Sequence, residues 1–349
     1  MIDLRSDNAY RLPSTMLANI ITERLGRLQG GINDDEVVKE LECLAANITG
    51  KQAAILFPSG TMANTAAVYA CTAPGEHVLV DPDIHVYRSE RVAFHPDFGR
   101  RVPIFYRLTQ QGTPDVEDIG QLMERNNPSL ICLENTHNFA GGICIPPETL
   151  KQISLCAHKR SVHIHLDGAR LFNACLALGL SARELCQHVD SVMFCLFKGL
   201  GAPMGSLLCG EKTWIERVRG IRKLLGGTIH KAGVIAAPGI YGLQNNMERL
   251  KEDHANAQLF AKILKAKAPS AKLVREVQTN IVMLDISQSG QSSEKFLDEL
   301  ALRGVLGKAK SDNLVRLVFH QCVSSGDAEQ AALAVADQIN CCSERRGTK

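Results

Sequence analysis

The segment "HIHLDGAR" places His163, His165 and Asp167 at every second position and is followed at once by Arg170. On a β-strand, residues at this spacing share one face. Two imidazoles and a carboxylate on one face can bind a transition metal. The alternatives are that Asp167 alone acts on a ligand while the histidines pack, or that it forms an internal ion pair with Arg170.

Two further segments place reactive groups directly after apolar runs. Lys198 follows "VMFCLF" and precedes the glycine-rich "GLGAPMGS", and a lysine amine so placed can form an imine with an aldehyde. In "PSGTMAN", Ser59, Gly60 and Thr61 begin a predicted helix, where free N–H groups favour an anion such as phosphate. The simpler alternatives are a surface lysine and an ordinary helix N-cap.

The elements that must position these groups form a regular pattern. Seven apolar runs alternate with helical segments: "AAILF", "HVLV", "VPIFY", "LICL", "VHIHL", "VMFCLF" and "SLLC". Among the helices, one is closed by Gly50 and another is opened by Pro146 and Pro147. This order predicts an α/β fold with a mostly parallel seven-stranded sheet covered on both faces. Ligands of such sheets bind at the carboxyl ends of the strands, so the three segments are expected to meet there.

The pattern changes near residue 233, where a long helical stretch begins. Pro238 is expected to kink or split this helix. We therefore predict an N-terminal segment over 1–30, a large domain over 31–235 and a smaller α+β domain over 236–349.

Composition narrows the class of protein. The chain has 349 residues, a formal net charge of +2 and 45% hydrophobic residues, so neither nucleic acid nor a membrane is an expected partner. We see no secretory leader and no apolar run of about 20 residues. The 12 cysteines lack a Cys-x-x-Cys pair, and several lie inside apolar runs, which favours reduced thiols and a cytoplasmic location.

A phosphate-binding helix start, a strand-end aspartate and a strand-end lysine together match the needs of one cofactor. Pyridoxal 5'-phosphate requires a phosphate anchor, an imine-forming lysine and a carboxylate beside its ring nitrogen. No metal is expected, because a zinc site built on His163 and His165 would need further ligands.

The residues also resemble a known family. The segments "MIDLRSD", "PSGTMAN", "ENTHN", "HLDGARLFNA", "SVMFCLFKGLGAPMGS", "RKLLGG", "RLKEDHANA" and "VRLVFH" resemble the low-specificity L-threonine aldolases of the β-eliminating lyase group. The likeness covers nearly the whole chain. It implies the fold of the fold-type I pyridoxal phosphate enzymes, a transferase-like architecture with a smaller C-terminal domain.

The resemblance also implies a role for each matching residue. Lys198 corresponds to the imine-forming lysine, Asp167 to the partner of the ring nitrogen and Arg170 to the arginine beside the phenolic oxygen. The remaining implied contacts are Ser59, Gly60 and Thr61 with Lys223 from a neighbouring subunit at the phosphate, His85 stacked on the ring, and Ser6 and Arg316 at the substrate carboxylate. In this interpretation His163 and His165 are structural.

Four segments depart from the family pattern. The chain has "LGRLQGGINDDE" where relatives carry a "GDDVYGEDP"-like stretch, Phe197 in place of serine, and "GGTIHK", with His230 and Lys231, in place of "GGGMRQ". The segment before "LICLENTHN" is short and lacks a histidine found in relatives. Cofactor binding is therefore a firmer expectation than the choice of substrate.

The resemblance implies a lyase of amino acid metabolism that cleaves Cα–Cβ of a β-hydroxy amino acid, converting threonine or allo-threonine to glycine and acetaldehyde. The same cofactor also supports a related β-eliminating lyase, a dehydratase or a racemase. A catalytically silent cofactor-binding relative is the third possibility. The resemblance further implies a homo-oligomer, either a dimer or a homotetramer, with sites at the subunit interface.

Overall fold

The computed structural model describes residues 1–9, 14–25 and 35–347 of the chain. The strands are β1 (Ile2–Asp3), β2 (Ala53–Phe57), β3 (His77–Val80), β4 (Val102–Phe105), β5 (Leu130–Glu134), β6 (His163–Asp167), β7 (Ser191–Cys195), β8 (Ser206–Gly210), β9 (Lys272–Leu273), β10 (Ile281–Asp285), β11 (Val305–Leu306), β12 (Lys308–Ser311) and β13 (Leu314–Val318). The α-helices are α1 (Ser14–Leu25), α2 (Glu36–Thr49), α3 (Gly60–Cys71), α4 (Val116–Asn126), α5 (Pro147–His158), α6 (Leu171–Leu178), α7 (Ala182–Cys186), α8 (Lys212–Leu224), α9 (Gly233–Asn245), α10 (Leu250–Lys267), α11 (Ser293–Leu302) and α12 (Ser325–Gly347).

A seven-stranded sheet forms the centre of the larger of two compact units. This unit comprises Arg11–His137 and Cys144–Met247, and its strands lie in the order β2-β8-β7-β6-β5-β3-β4. Strands β7, β6, β5, β3 and β4 run parallel, whereas β8 is antiparallel to both of its neighbours. The predicted mostly parallel sheet is confirmed, and each of the seven apolar runs forms one of its strands.

Helices pack on both faces of the sheet because its strands bury alternate residues on each side. Ile55 and Phe57 of β2 pack in a core cluster with the stripe Ala63, Ala66, Ala67 and Ala70 of α3. This i, i+3, i+4, i+7 spacing presents one face of α3 to the sheet. Between the two β2 residues, Leu56 points to the opposite face.

The expected helix boundaries at Gly50 and Pro147 are confirmed. Gly50 follows α2 with φ of 69°, and its N–H donates to the carbonyls of Ala46 and Asn47. Glycine adopts this left-handed conformation without the strain imposed by a Cβ atom. Pro147 is the first residue of α5, where its missing N–H leaves no hydrogen bond unmade.

The expected split of the helix at Pro238 was wrong, and the expected kink stays a prediction. Helix α9 continues through this buried proline, and the chain leaves the helix at Asn246 instead. There the side-chain amide of Asn246 donates to the carbonyl oxygen of Leu200 at 2.8 Å. A tertiary contact therefore fixes the end of this helix, which local sequence does not reveal.

The smaller compact unit comprises Met1–Tyr10, Asn138–Ile143 and Glu248–Lys349. Its four-stranded antiparallel sheet has the order β12-β13-β10-β9, and β1 pairs in parallel with β11. Its core joins sheet residues such as Leu317 to α10 and α12 residues such as Phe260 and Val335. The domain boundaries proposed after residues 30 and 235 stay predictions.

Eleven cysteines, from Cys43 to Cys341, are free thiols. Six of them are buried: Cys132, Cys144, Cys175, Cys186, Cys195 and Cys209. Among the described helices, none combines the length and the apolar character needed to cross a bilayer.

Candidate active site

The predicted reactive groups of the larger unit lie at the carboxyl ends of the parallel strands, here called the carboxyl-end edge of the large sheet. Asp167 is the last residue of β6, Lys198 follows the end of β7 by three residues, and Gly60 opens the helix after β2. Because β2, β6 and β7 run in the same direction, their carboxyl ends share this edge. The sequence-predicted arrangement of the three segments is therefore present.

Asp167 is a buried carboxylate held by neutral donors. Its Oδ2 accepts from the side-chain amide of Asn64 at 3.0 Å, and its Oδ1 accepts from the backbone N–H of Ala169 at 3.0 Å. Burial, and then the charges of Glu134 and Glu90, raise the pKa of Asp167 to about 7. A nearby positive charge would restore the ionised form.

His85 contacts Glu134 and Glu90, the two carboxylates whose charges raise the pKa of Asp167. Its backbone N–H donates to Glu134 Oε2 at 2.7 Å, and its ring Nδ1 lies 3.0 Å from Glu90 Oε1. Burial lowers the pKa of His85, but the hydrogen bond to Glu90 and the surrounding carboxylates outweigh burial, so the net shift is upward. The ring of His85 is thereby held at one nitrogen while the side chain stays 40% exposed.

Lys198 is half-buried in the turn that links β7 to β8. Its positive charge lowers the pKa of Asp167 against the upward effect of burial, which places the amine near this carboxylate. Phe197 packs against the core cluster on the α3 face, with its ring centroid 6.0 Å from Lys198 Nζ. The aromatic side chain that departs from the family pattern therefore packs beside the lysine rather than at a distance.

Arg170 and Cys195 lie close to the same edge. Arg170 is buried at the N-terminal end of α6. Burial raises the pKa of the Cys195 thiol, while the charges of Lys198 and Arg170 oppose the shift. The positive groups predicted for the cofactor are thus grouped around the end of β7.

The start of α3 has the geometry of an anion cradle. Ser59 is the N-cap, and its Oγ accepts from the backbone N–H of Met62 at 3.2 Å. The first N–H groups of any helix lack intrahelical acceptors, and here Gly60 contributes one of them next to the exposed Thr61. Ser59 is therefore a helix N-cap, as the simpler alternative held. The backbone N–H of Gly60 can still bind an anion. Lys223 is exposed in the last turn of α8.

The side chains of His163 and His165 form hydrogen bonds with neighbouring polar side chains of the larger unit. The ring nitrogens of His165 contact Ser191 Oγ at 2.9 Å and Asn64 Oδ1 at 3.0 Å. His163 Nε2 contacts the same Ser191 Oγ at 2.9 Å. With both nitrogens of His165 engaged, these two histidines and Asp167 do not form the metal site that their spacing allows.

A different trio comes close together at this edge. Within the part of the chain that the structure describes, donor atoms of His85, Glu90 and Asp167 lie within 4.8 Å of one another. The amide of Asn64 already donates toward both carboxylates, at 3.1 Å to Glu90 Oε1 and 3.0 Å to Asp167 Oδ2. The Asn64 amide thus links the Glu90 and Asp167 carboxylates, and each of them keeps further lone pairs that can accept from a cationic ligand.

Ser6 and Arg316 belong to the smaller unit. Arg316 is buried on β13, where its Nη2 donates to the backbone oxygen of Arg5 at 3.1 Å and its Nη1 donates to Asn138 Oδ1. Ser6 follows Arg5 directly, and its Oγ accepts from the N–H of Asn8 at 3.3 Å. The structure thus brings the N-terminal "RSD" segment against Arg316.

Sequence reasoning missed Asn64, Glu90 and Glu134. Asn64 lies in the quoted "PSGTMAN" one helical turn after Gly60, so helical spacing was a usable signal. Glu90 follows His85 by five residues, across a π-helical turn that no local pattern indicated. The departing stretch "LGRLQGGINDDE" lies mostly outside the described residues, and His230 and Lys231 are exposed before α9.

Comparisons with known proteins agree with this geometry. Residues 3–289 match the family model "Beta-eliminating lyase". The low-specificity L-threonine aldolase of Escherichia coli K12 is 36% identical, covering 95% of this chain and 97% of its own. Low-specificity L-threonine aldolase 1 of Arabidopsis thaliana is 33% identical, covering 93% of each. A threonine aldolase structure from Leishmania major superposes with a TM-score of 0.81 at 16% identity, covering 97% of this chain and all of the other. The shared fold confirms the predicted architecture.

Proposed function

The chain belongs to the β-eliminating lyase family, and on this premise we propose that it is a pyridoxal phosphate-dependent carbon–carbon lyase. It would cleave Cα–Cβ of a β-hydroxy amino acid, converting threonine or allo-threonine to glycine and acetaldehyde. The relatives named as threonine aldolases match it over nearly their full length. The observation that carries the proposal is the buried carboxylate of Asp167 at the same end of the sheet as Lys198, which suits it to pair with the cofactor's ring nitrogen.

The described side chains fit this cofactor. The buried carboxylate of Asp167, the half-buried amine of Lys198 and the N-terminal end of α3 are complements of a pyridinium, an aldehyde and a phosphate. When bound, pyridoxal phosphate provides a ring that accepts the electron pair left by a bond broken at the substrate's Cα.

Each residue near the sheet edge then has a task. Lys198 would hold the cofactor through its amine, and Asp167 would keep the proton on the ring nitrogen. Arg170 would bind the phenolic oxygen, and His85 would pack against the ring. Ser59, Gly60, Thr61 and a neighbouring subunit's Lys223 would hold the phosphate.

The substrate carboxylate is assigned to Ser6 and Arg316. The planar guanidinium of Arg316 can form two parallel hydrogen bonds to a carboxylate, so Arg316 would orient a substrate that binds through this group. His85 then positions or assists the base that removes the proton of the β-hydroxyl group.

Two further proposals concern assembly and location. Use of Lys223 from a second subunit requires a homo-oligomer, and we propose a homotetramer with the dimer as the smaller alternative. We propose the cytoplasm as the compartment, supported by buried thiols that pack as small apolar side chains.

The experiment compares purified wild-type protein with Lys198→Ala and with the exposed-lysine control Lys159→Ala. Wild type and the control should carry the yellow cofactor, which Lys198→Ala should not retain after dialysis. With a panel of β-hydroxy amino acids, mass spectrometry should find glycine and an aldehyde. Colourless protein after incubation with pyridoxal phosphate would overturn cofactor binding. A keto acid with ammonia, or an inverted amino acid, would replace the aldolase by an elimination or racemisation.

A further inference from the structure

A continuous chain of hydrogen bonds runs alongside β6, from His163 at the amino end of the strand to Asp167 at its carboxyl end. It runs from His163 Nε2 to Ser191 Oγ at 2.9 Å, and from Ser191 Oγ to His165 Nδ1 at 2.9 Å. It continues from His165 Nε2 to Asn64 Oδ1 at 3.0 Å, and from Asn64 Nδ2 to Asp167 Oδ2 at 3.0 Å. We call His163, Ser191, His165 and Asn64 the relay.

Counting hydrogens fixes the direction of every bond in the relay. The Asn64 amide nitrogen faces carboxylate oxygens, so its oxygen must accept, and His165 must carry its hydrogen on Nε2. His165 is neutral, since burial and then the charge of His163 lower its pKa to about 3. Its Nδ1 therefore accepts the single hydroxyl hydrogen of Ser191.

The last link follows from the one before it. Once the Ser191 hydroxyl donates to His165, its oxygen can only accept from His163, which must therefore carry a hydrogen on Nε2. All four bonds then point the same way, from His163 toward Asp167. Bonds aligned in this sense polarise and strengthen one another.

The two ends of the relay differ in their surroundings. Ser191, His165 and Asn64 are completely buried, so each link forms in a medium where hydrogen bonds are strong. His163 instead lines an open cleft of about 360 Å³ beside the amino end of β6, with its ring stacked 5.2 Å from that of Trp214. Among the described residues, the charged or titratable groups around His163 are Asp190, Lys51, His158, Arg160 and Cys71.

We propose that the relay residues act together as positioning residues that donate a polarised hydrogen bond to Asp167 and keep it ionised for the cofactor's ring nitrogen. This inference rests on the proposed function. It assigns a shared task to two histidines that do not touch the cofactor, and it makes cofactor affinity depend on a residue at the amino end of β6.

The first test breaks the relay in the middle. Ser191→Ala removes the hydroxyl, and Ser206→Ala is the matched control because Ser206 is an equally buried serine on the adjacent strand. The dissociation constant of pyridoxal phosphate is measured by titrating cofactor-free protein between pH 6 and pH 9. Ser191→Ala should bind about tenfold more weakly at neutral pH, and its loss of affinity on acidification should begin at a higher pH. Ser191→Thr, which keeps the hydroxyl, should restore both.

The second test uses the far end, where folding is not at risk. His163→Phe keeps a ring against Trp214 but removes the N–H donor, and it should weaken cofactor binding in the wild-type background. In the Ser191→Ala background it should have no further effect, because the connection is already broken. Additive effects of the two substitutions, or unchanged affinity in both single variants, would overturn the relay. Failure of the wild-type protein to bind the cofactor would instead overturn the proposed function, and this inference with it.

Discussion

Two buried aspartates at the carboxyl-end edge of the large sheet have opposite environments. Asp81 follows β3 and is hydrogen-bonded to the ring of buried His137. Asp167 ends β6, and among the described residues its carboxylate accepts from the amides of Asn64 and Ala169. None of the described lysine, arginine or histidine side chains forms a salt bridge with Asp167. The fold provides an internal cation for one carboxylate and leaves the other available to a cationic ligand.

The difference appears in the pKa of His137, the partner of Asp81, and in the pKa of Asp167. Burial would lower the pKa of His137, but the hydrogen bond to Asp81 and the charge of Glu134 reverse the shift and raise it. At Asp167, burial is reinforced by neighbouring carboxylates and the pKa rises to about 7. A carboxylate that is costly to ionise in the empty protein marks a functional position, because stability alone would favour its removal.

The largest expected effect is on cofactor affinity and tests the proposed role of Asp167. Asp167→Asn removes the negative charge opposite the ring nitrogen, and losing one partner of a buried ion pair costs about 4 kcal/mol. The dissociation constant of pyridoxal phosphate should therefore rise about a thousandfold, as measured by absorbance titration. Asp81→Asn is the matched control and should change this constant by less than about tenfold. Equal losses in the two variants would remove the distinction between the two aspartates.

The same substitution should change how the cofactor-free protein responds to pH. The folded pKa of Asp167 is raised to about 7, while its unfolded value is about 3.9. Wild type therefore loses stability as pH rises from about 4 to about 7, by at most about 4 kcal/mol. Asp167→Asn lacks this loss, so its unfolding free energy in urea should improve relative to wild type over this interval and level off above it. A difference independent of pH would show that Asp167 is ionised without penalty.

For Asp81, the aspartate paired with His137, we expect substitution to lower the stability of the protein. Asp81→Asn removes the carboxylate that is hydrogen-bonded to buried His137, which should lower the unfolding free energy by about 3 kcal/mol at pH 6. Because the pKa of His137 is raised in the folded protein, the stabilisation is present at pH 6 and is lost as pH rises through that raised value. Chemical denaturation at pH 6 and pH 9 should show the difference shrinking at the higher pH.

The smallest expected effect comes from a neighbour of Asp81. Tyr106 is fully buried and its hydroxyl donates to the carbonyl oxygen of Cys132 at 3.0 Å. Tyr106→Phe should lower the unfolding free energy by about 1 kcal/mol and leave cofactor affinity unchanged. A weakened affinity would mean that the two parts of this edge are coupled.

The sequence was informative where one residue carried the signal by itself. Parallel strands buried on both faces appear as continuous apolar runs, so the sheet was predictable, and a charged residue directly after such a run drew attention to Asp167 and Lys198. Of the groups around Asp167, Asn64 could have been found from its helical spacing after Gly60, whereas Glu90 was not predictable because it reaches the site across a π-helical turn. The end of α9 was missed because the contact of Asn246 with Leu200 joins distant parts of the chain.

The burial of most thiols has a practical consequence for following the molecule in solution. Among the described cysteines, Cys43 and Cys322 are exposed, and they belong to different compact units. Maleimide dyes should react with these two positions faster than with the thiols inside the cores. A donor and an acceptor fluorophore placed there would convert any rearrangement between the units into a change in energy transfer.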